Sequence, residues 1–313
     1  MNQEALIAWY RRIQRPLPWR LEPSPWSILL SEILLQQTQM ERGIAYHKNL
    51  LDRFPTIQSM AESSVDDVLH LWQGAGYYAR ARRLHALSIE VMQSHGGQLP
   101  DQYDELLTLP GIGPYTAAAV SSIAFNQPVA CVDGNIRRVM ARQTNSDEPT
   151  PKEVQSFANQ HLVRESPGDW NQAMMELGAL VCKPRNPLCE QCPIAETCQG
   201  RSRPHELPRP KKTKKTVVEY DCIVRIDERG YPELHQRPKT GLFAGLWGPK
   251  MEANMQTKGS EYLGTLRHQL SHRELIVSVW KGIGSEGTNP LSVALSSLDR
   301  RILELAGVVV NIP

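Results

Sequence analysis

The chain has 313 residues, more than one typical domain, so two domains are expected, each long enough to bury its own core. With 35 Lys and Arg against 33 Asp and Glu, the formal net charge of +2 creates no whole-molecule field that selects a partner. Basic residues still cluster at Arg80, Arg82 and Arg83, at Arg137, Arg138 and Arg142, and at Arg209, Lys211, Lys212, Lys214 and Lys215, and each cluster can equally be a solvated face. No charged-then-apolar leader, no apolar run near membrane-spanning length and no internal repeat is evident, which predicts a soluble protein of the cytoplasm.

The first half reads as helix after helix. Ala5, Leu6, Trp9, Tyr10 and Ile13 recur at helical spacing, as core residues would. Arg15-Pro16-Leu17-Pro18-Trp19-Arg20 interrupts, since a residue before proline is pushed towards extended backbone. Pro25 can open the next helix, expected over Trp26 to Thr38. Within it, Glu32 stands in the apolar run Ile28-Leu29-Leu30-Ser31-Glu32-Ile33-Leu34-Leu35. A carboxyl buried there has its pKa raised and stays protonated to higher pH, as a general acid must; a Glu that faces solvent on an amphipathic helix has no such property, and periodicity leaves both open. Gln36, Gln37 and Thr38 add amide and hydroxyl groups one turn on.

Leu71 to Arg82 reads LWQGAGYYARAR, in which two glycines deliver Tyr77 and Tyr78 to the start of a basic helix. Such a pair suits stacking on bases, or plain core packing. The stretch from Leu109 to Arg142 carries more punctuation. Gly111 and Gly113 can take positive φ and Pro114 suits a first helical turn, so one helix should end near Leu109 and another run from Pro114 to Phe125. Between them, bare amides of Ile112 and Gly113 at the positive end of the helix dipole would seat a phosphate, unless the turn is only a helix corner. Val129 to Val132 is apolar, Asp133-Gly134-Asn135 breaks it, and a helix from Ile136 to Arg142 follows. Asp133 is thereby either an N-cap or a site carboxylate.

Cys182, Cys189, Cys192 and Cys198 form C-x6-C-x2-C-x5-C, with Lys183 and Arg185 inside the first loop. Four thiolates so close suit a structural zinc or an iron-sulfur cluster, and spacing alone does not choose. Disulfides are disfavoured without an export signal, and Cys131 and Cys222 read as buried free thiols. Residues 199 to 216 are rich in Pro, Lys and Arg without periodicity, as a linker would be. Beyond it, Val218, Tyr220, Cys222, Val224 and Ile226 alternate as in a half-buried strand, Arg229-Gly230 marks a turn, Ile276, Val277 and Val279 suggest another strand, and Leu291 to Leu305 a closing helix, an α+β pattern.

LPGxGxxTA followed by VDGNxxRV, taken with the cysteine spacing, resembles the helix-hairpin-helix, aspartate and cluster-loop motifs of the endonuclease III superfamily of DNA glycosylases. LLSEILLQQTQ and GxGYYxRA are similar to its MutY branch, and GLFAGLWGPKM with HQLSHRELIV to the MutT-like (Nudix) C-terminal domain of that branch, though without the acidic REx2EE run of active Nudix hydrolases. The resemblance spans Arg15 to about Val277. It implies an all-α helix-hairpin-helix glycosylase domain with a 4Fe–4S loop over 1–199, a basic linker over 200–216, and an α+β Nudix-like lesion-recognition domain over 217–313. The implied reaction is removal of adenine opposite 8-oxoguanine or G from double-stranded DNA, by a monomer.

In that family pattern the residue matching Glu32 protonates adenine N7 and the residue matching Asp133, kept ionised by an opposed environment, stabilises the oxocarbenium-like sugar. Tyr115 and Asn135 fall beside them in the matched motifs. Gln37 and Tyr77 match residues that wedge into the duplex; Thr38 and the hairpin residues Gly111, Ile112 and Gly113 are implied DNA contacts. Ser271 and His272 match the lesion-reading turn, where Leu270 replaces a common Phe. Bifunctional relatives carry a nucleophilic Lys where Tyr115 stands, so a monofunctional enzyme is implied. Two alternatives stay open at this level: an endonuclease III-type glycosylase for oxidised pyrimidines, and a noncatalytic DNA-binding protein stabilised by zinc.

Overall fold

Caps and prolines start the helices where the sequence provides them. The computed structural model describes residues 1–36, 38–210, 215–270 and 272–310. Its helices run α1 (Gln3–Ile13), α2 (Pro18–Leu21), α3 (Pro25–Leu34), α4 (Met40–Arg53), α5 (Ile57–Ala61), α6 (Val65–Leu71), α7 (Ala79–Ser94), α8 (Tyr103–Thr108), α9 (Pro114–Phe125), α10 (Gly134–Gln143), α11 (Pro151–His161) and α12 (Pro167–Leu180). Ser24 accepts from the Ser27 amide ahead of α3, Asp133 from Ile136 ahead of α10, and Thr150 forms a reciprocal capping box with Glu153 ahead of α11. Among the described residues no helix is long and apolar enough to cross a membrane.

The chain divides into two compact units, Met1–Glu62 with Ala86–Lys211, and Ser63–His85 with Lys212–Pro313. In the first, α12 is the central element, packed against α1, α9 and α10, while α3 packs on α9 and α4. Trp170, Met174 and Leu177 of α12 meet Leu6 and Tyr10 of α1 and Ile136 and Val139 of α10 in one core. The helix α3 is buried on every side from Trp26 to Leu34, as expected of a helix apolar all round. It stops at Leu34, short of the expected Thr38, because the chain turns and Gln36 Nε2 donates to Thr116 Oγ1 on α9 at 3.1 Å.

The stretch expected to be a linker is fastened down as far as residue 210. Gly200 N donates to the Arg142 carbonyl at 2.7 Å, Arg209 N to the Asp147 carbonyl at 2.8 Å, and Leu207 is buried. Lys211, Lys212 and Lys214 of the basic cluster lie outside the described residues.

The second unit is built on a mixed sheet of β1 (Thr216–Ile226), β4 (Met251–Glu252), β5 (Glu261–Gln269) and β6 (Arg273–Ile283), with β2 (His235–Gln236) and β3 (Trp247–Gly248) forming a separate two-stranded pair. The order is β4-β1-β6-β5, with β1 parallel to β6 from Thr216 opposite Arg273 to Ile226 opposite Ile283. An interior parallel strand is covered on both faces, which is why Cys222, Ile223 and Val224 are buried in succession instead of alternating. The closing helix α13 (Ser297–Leu305) starts later than expected, since Ser296 and Asp299 form a capping box and residues 290–292 make a 3-10 turn.

Ser63–His85, which the sequence pattern grouped with the helical domain, belongs by its contacts to this second unit. The Tyr78 hydroxyl donates to the Leu295 carbonyl at 3.2 Å, Gln73 Nε2 to the Val293 carbonyl at 3.3 Å, Arg82 to the Ala244 carbonyl, and Arg300 to Gln73 Oε1. The tyrosine pair is thus split: Tyr78 is buried, while Tyr77 is 48% exposed at φ +49.

The buried centre of the second unit holds an ion pair, Arg237 Nη2 to Asp299 Oδ1 at 2.7 Å and Nη1 to Oδ2 at 3.0 Å, with the Asp299 side chain 0% exposed. Removing one partner strands the other. Asp299→Ala is expected to cost this unit about 3 kcal/mol or more, read as a shift of its denaturant midpoint followed through Trp247 and Trp280 fluorescence, with visible cluster absorbance unchanged. A midpoint like that of the wild type would show that the pair contributes nothing net.

Candidate active site

Three elements bring polar groups to one cavity of about 500 Å³ in the first unit. The α3 helix has no solvent-facing side, so Glu32 is 8% exposed. The first turn of α9 supplies Tyr115, whose hydroxyl donates to Glu32 Oε2 at 2.8 Å and lies 3.0 Å from Met175 Sδ of α12. Asp133, the N-cap of α10, is the third. Its Oδ1 accepts from Ile136 N at 2.7 Å and its Oδ2 from Asn135 Nδ2 at 2.7 Å. The cap role and the site role, alternatives in the sequence, are one arrangement.

Burial pushes Glu32 from the ordinary 4.5 up to about 7, against the Tyr115 hydrogen bond and Arg20, which favour the anion, and helped by the Asp133 charge. Burial also pushes Asp133 up, but the Ile136 amide, Asn135 and Arg138 all oppose it. The two environments are therefore not opposed in sign, as expected, but graded in degree. Asp133 holds its anion better because it has more donors.

Arg15, Arg20, Gln172, Met175 and Glu176 complete the wall, and the sequence reading missed them. Glu176 takes Arg15 Nε at 2.6 Å and Nη2 at 2.8 Å, and Arg20 Nη2 at 3.4 Å; Arg20 Nε also donates to Gln172 Oε1 at 2.9 Å. Burial would raise the Glu176 carboxyl, yet the two arginines outweigh it and hold it below the usual range. The signal was present: Ala173-Met174-Met175-Glu176-Leu177 sets a carboxyl in an apolar helix as the Glu32 run does.

Thr38 lines the same cavity. In the hairpin, Gly111 takes φ +82 but Gly113 has φ −100, and the Ile112 amide is spent on the Leu109 carbonyl at 3.2 Å, so it is not the bare donor expected. A Cβ on Gly113 would meet nothing within 4 Å, so neither φ nor internal packing calls for glycine there. In the second unit, His272 is exposed beside the β5–β6 turn, and Leu270 is half-buried on its own core, not projecting as a wedge. Gln37 and Ser271 lie outside the described residues.

The α10 helix carries the arrangement towards the cysteines. Arg138 Nη2 donates to Asn135 Oδ1 at 2.9 Å and to the Gly178 carbonyl at 2.8 Å, and its Nε to the Cys182 carbonyl at 2.8 Å. A Cβ on Gly178 would stand 2.5 Å from Asn135 Cβ, so only glycine lets Asn135 lie there. One turn on, buried Arg142 donates to the carbonyls of Lys183, Pro184 and Leu207 at 2.7, 3.2 and 3.1 Å, and to Cys182 Sγ at 3.3 Å. Cys182, Cys189, Cys192 and Cys198 line one cavity with Val139, Leu177 and Ile194. Among the described residues no three His, Cys, Asp or Glu side chains converge tightly enough for a single ion. By donor type, four thiols round one cavity suit a zinc or a larger inorganic cluster with N–H donors to its sulfurs, and the lining alone does not choose.

Residues 30–163 match the family model of HhH-GPD superfamily base excision DNA repair proteins, and residues 182–198 that of the iron-sulfur binding domain of endonuclease III. The adenine DNA glycosylase of Homo sapiens is 40% identical over 92% of this chain and 68% of that protein. That of Rattus norvegicus is 31% identical over 93% and 72%, and that of Buchnera aphidicola subsp. Baizongia pistaciae 31% over 88% and 85%. The chain belongs to the adenine DNA glycosylase family. Among solved structures, a thermostable thymine-DNA glycosylase aligns with TM-score 0.60 at 26% identity, covering 64% of this chain and 95% of that one. A non-covalent endonuclease III–DNA complex aligns at 0.57 and 23% over 64% and 94%, a likeness of fold.

As an adenine DNA glycosylase the protein is a base-excision-repair enzyme acting on DNA, and it carries a 4Fe–4S cluster that the four cysteines would hold. Cys192→Ser is expected to bleach the visible absorbance and weaken duplex binding several-fold, because the loop from Cys182 to Cys189 carries Lys183 and exposed Arg185, suited to phosphates. A bleached variant with wild-type affinity would leave the cluster no part in binding.

Unfolded, Glu32 titrates near 4.5 and folded near 7, so the folded state holds the extra proton in between. That contribution to stability is complete below pH 4.5 and is lost as pH rises through about 7. Keeping the carboxylate in place at higher pH costs on the order of 3 kcal/mol. Glu32→Gln is therefore expected to be more stable than the wild type at pH 8 and no more stable at pH 4.5, measured by denaturant unfolding; equal stability at both pH values would remove the strain.

Proposed function

We propose that this enzyme excises adenine opposite 8-oxoguanine or guanine in duplex DNA, as a monofunctional monomer, with Glu32 as the acid. The observation that carries the reading is the Tyr115–Glu32 hydrogen bond inside a cavity that Asp133 also lines. Adenine must leave the stack to be reached, at a cost of a few kcal/mol, and the cavity is of a size for a purine. Glu32, protonated near neutrality, gives its proton to N7 of the base. The C1′–N9 bond breaks with its electron pair going to the base, and adenine leaves neutral. The Asp133 carboxylate, held by the Ile136 and Asn135 donors, faces the positive charge that develops on the sugar. Water then adds at C1′ and releases a proton, leaving an abasic site.

Tyr115 takes the place of the lysine that would form a Schiff base, so no Schiff base to the sugar forms there and the enzyme is not a lyase. Residues 217–313 act as a MutT-like reader of the opposite strand, with Ser271 and His272 as its polar contacts, while Tyr77 is presented for stacking.

Single-turnover excision on duplexes with A opposite 8-oxoguanine, A opposite G, and thymine glycol tests this. Glu32→Gln should lose at least about a hundredfold in rate with duplex binding kept, and borohydride should not trap the wild type on DNA. Near-wild-type excision by Glu32→Gln would move the acid elsewhere. Changing both Ser271 and His272 to Ala should narrow the ratio of the two adenine rates. Deleting 217–313 is a poorer probe, since it also strips Gln73 and Tyr78 of their partners.

A further inference from the structure

The Tyr115 hydroxyl has one hydrogen and two acceptors in reach, Glu32 Oε2 at 2.8 Å and Met175 Sδ at 3.0 Å. One hydrogen cannot serve both. Which it serves depends on the proton of Glu32. A carboxylate only accepts, so it takes the hydrogen. A carboxylic acid brings its own O–H, and when that hydrogen points at Tyr115 Oη the hydroxyl must turn its own hydrogen away. The thioether of Met175, partly buried on α12 against the same core, is the acceptor on that side.

We propose that Met175 is a positioning residue for the acid: its sulfur takes the Tyr115 hydrogen while Glu32 is loaded, and the hydroxyl turns back to Glu32 once the proton has gone to the base. Before transfer the order is Glu32 Oε2–H to Tyr115 Oη, and Tyr115 Oη–H to Met175 Sδ. After transfer the proton is on the base, Glu32 is an anion, and Tyr115 donates to it. The Glu32 O–H turns from Tyr115 to the base, its O–H bond breaks as the N7–H bond forms, and the Tyr115 hydroxyl rotates from the sulfur to the carboxylate left behind. A rotor with an acceptor on either side can stabilise both protonation states, which a fixed donor such as a backbone amide cannot.

Other charges face Glu32 as well. Asp133, Arg20, Tyr115 and the buried Cys131 thiol are coupled to it, and Arg15 and Glu176 line the cavity. Replacing Met175 by Leu leaves all of them in place and keeps an apolar side chain of similar volume. Without the sulfur, Tyr115 donates to Glu32 alone and favours its anion. The limb of the pH–rate profile that reports Glu32 should then move down by about half to one pH unit, so that the deficit is several-fold at neutral pH and closes at low pH.

The inference rests on Glu32 as the acid, and variants at Glu32, Met175 and Tyr115 separate the two claims in single-turnover excision against pH, on holoprotein checked by visible absorbance. If Glu32→Gln leaves the limb in place, the acid reading itself fails. If Glu32→Gln abolishes the limb and Met175→Leu leaves it where the wild type has it, the acid reading stands and the role of Met175 is overturned. The expected result is a downward shift in Met175→Leu, a return towards wild type in Met175→Gln, whose amide oxygen accepts, and no shift from Met175→Leu when Tyr115 is already Phe. A uniform loss of rate at every pH in both Met175 variants would mark a packing role and also overturn the proposal.

Discussion

Everything at the candidate site depends on placing one carboxyl in a helix that has no wet face. The α3 helix is covered by α4 and α9, so Glu32 is buried except where it lines the cavity, and that burial raises its pKa to about 7. The cost of that placement is met by core packing elsewhere on the same helix, where Leu29, Leu30 and Leu34 are fully buried. Tyr115, Met175 and Asp133 come from three different helix starts or faces, yet each is set by its relation to α3. The candidate site is a local violation of burial rules that the surrounding core is large enough to tolerate.

The α10 helix orders a second set of constraints. Its N-cap is Asp133, its first turn holds Asn135, its second Arg138, and its last turn Arg142. Both arginines donate to backbone carbonyls of the loop that begins at Cys182. Polypeptide carbonyls near a cluster loop that lacks regular structure must find donors or remain unsatisfied. Two guanidinium groups supply several each, so the same rigid element orients the site carboxylate and closes the cysteine loop.

Much of this was legible in the residues. Glu32 interrupts an apolar run, the cysteines are closely spaced and Asp133 precedes a helix, but each pattern left a plainer reading open and the family resemblance singled them out. Other features were hidden for identifiable reasons. The Glu176 pairing with Arg15 spans 161 residues, and no local pattern reports a partner that far away. The Ile112 amide looked free because a turn closing back to Leu109 has no side-chain signature. Tyr77 and Tyr78 are identical letters with opposite fates, decided by the positive φ at Tyr77 and by a carbonyl at Leu295. The mixed sheet followed the β-branched runs, whereas its parallel β1–β6 pairing is a property of topology that alternation does not encode.

The membership of Ser63–His85 in the second unit has a consequence for how the chain is made. Tyr78 precedes its Leu295 partner by 217 residues and Gln73 precedes Val293 by 220. At translation speeds of 5 to 20 residues per second, that stretch leaves the ribosome about 10 to 40 s before its partners exist. Residues 86–210, synthesised in the interval, can complete the helical core first, with the Tyr77 loop still waiting. Every residue that lines the Glu32 cavity is thus translated before the partners of Tyr78 and Gln73, and the order of synthesis completes one unit ahead of the other.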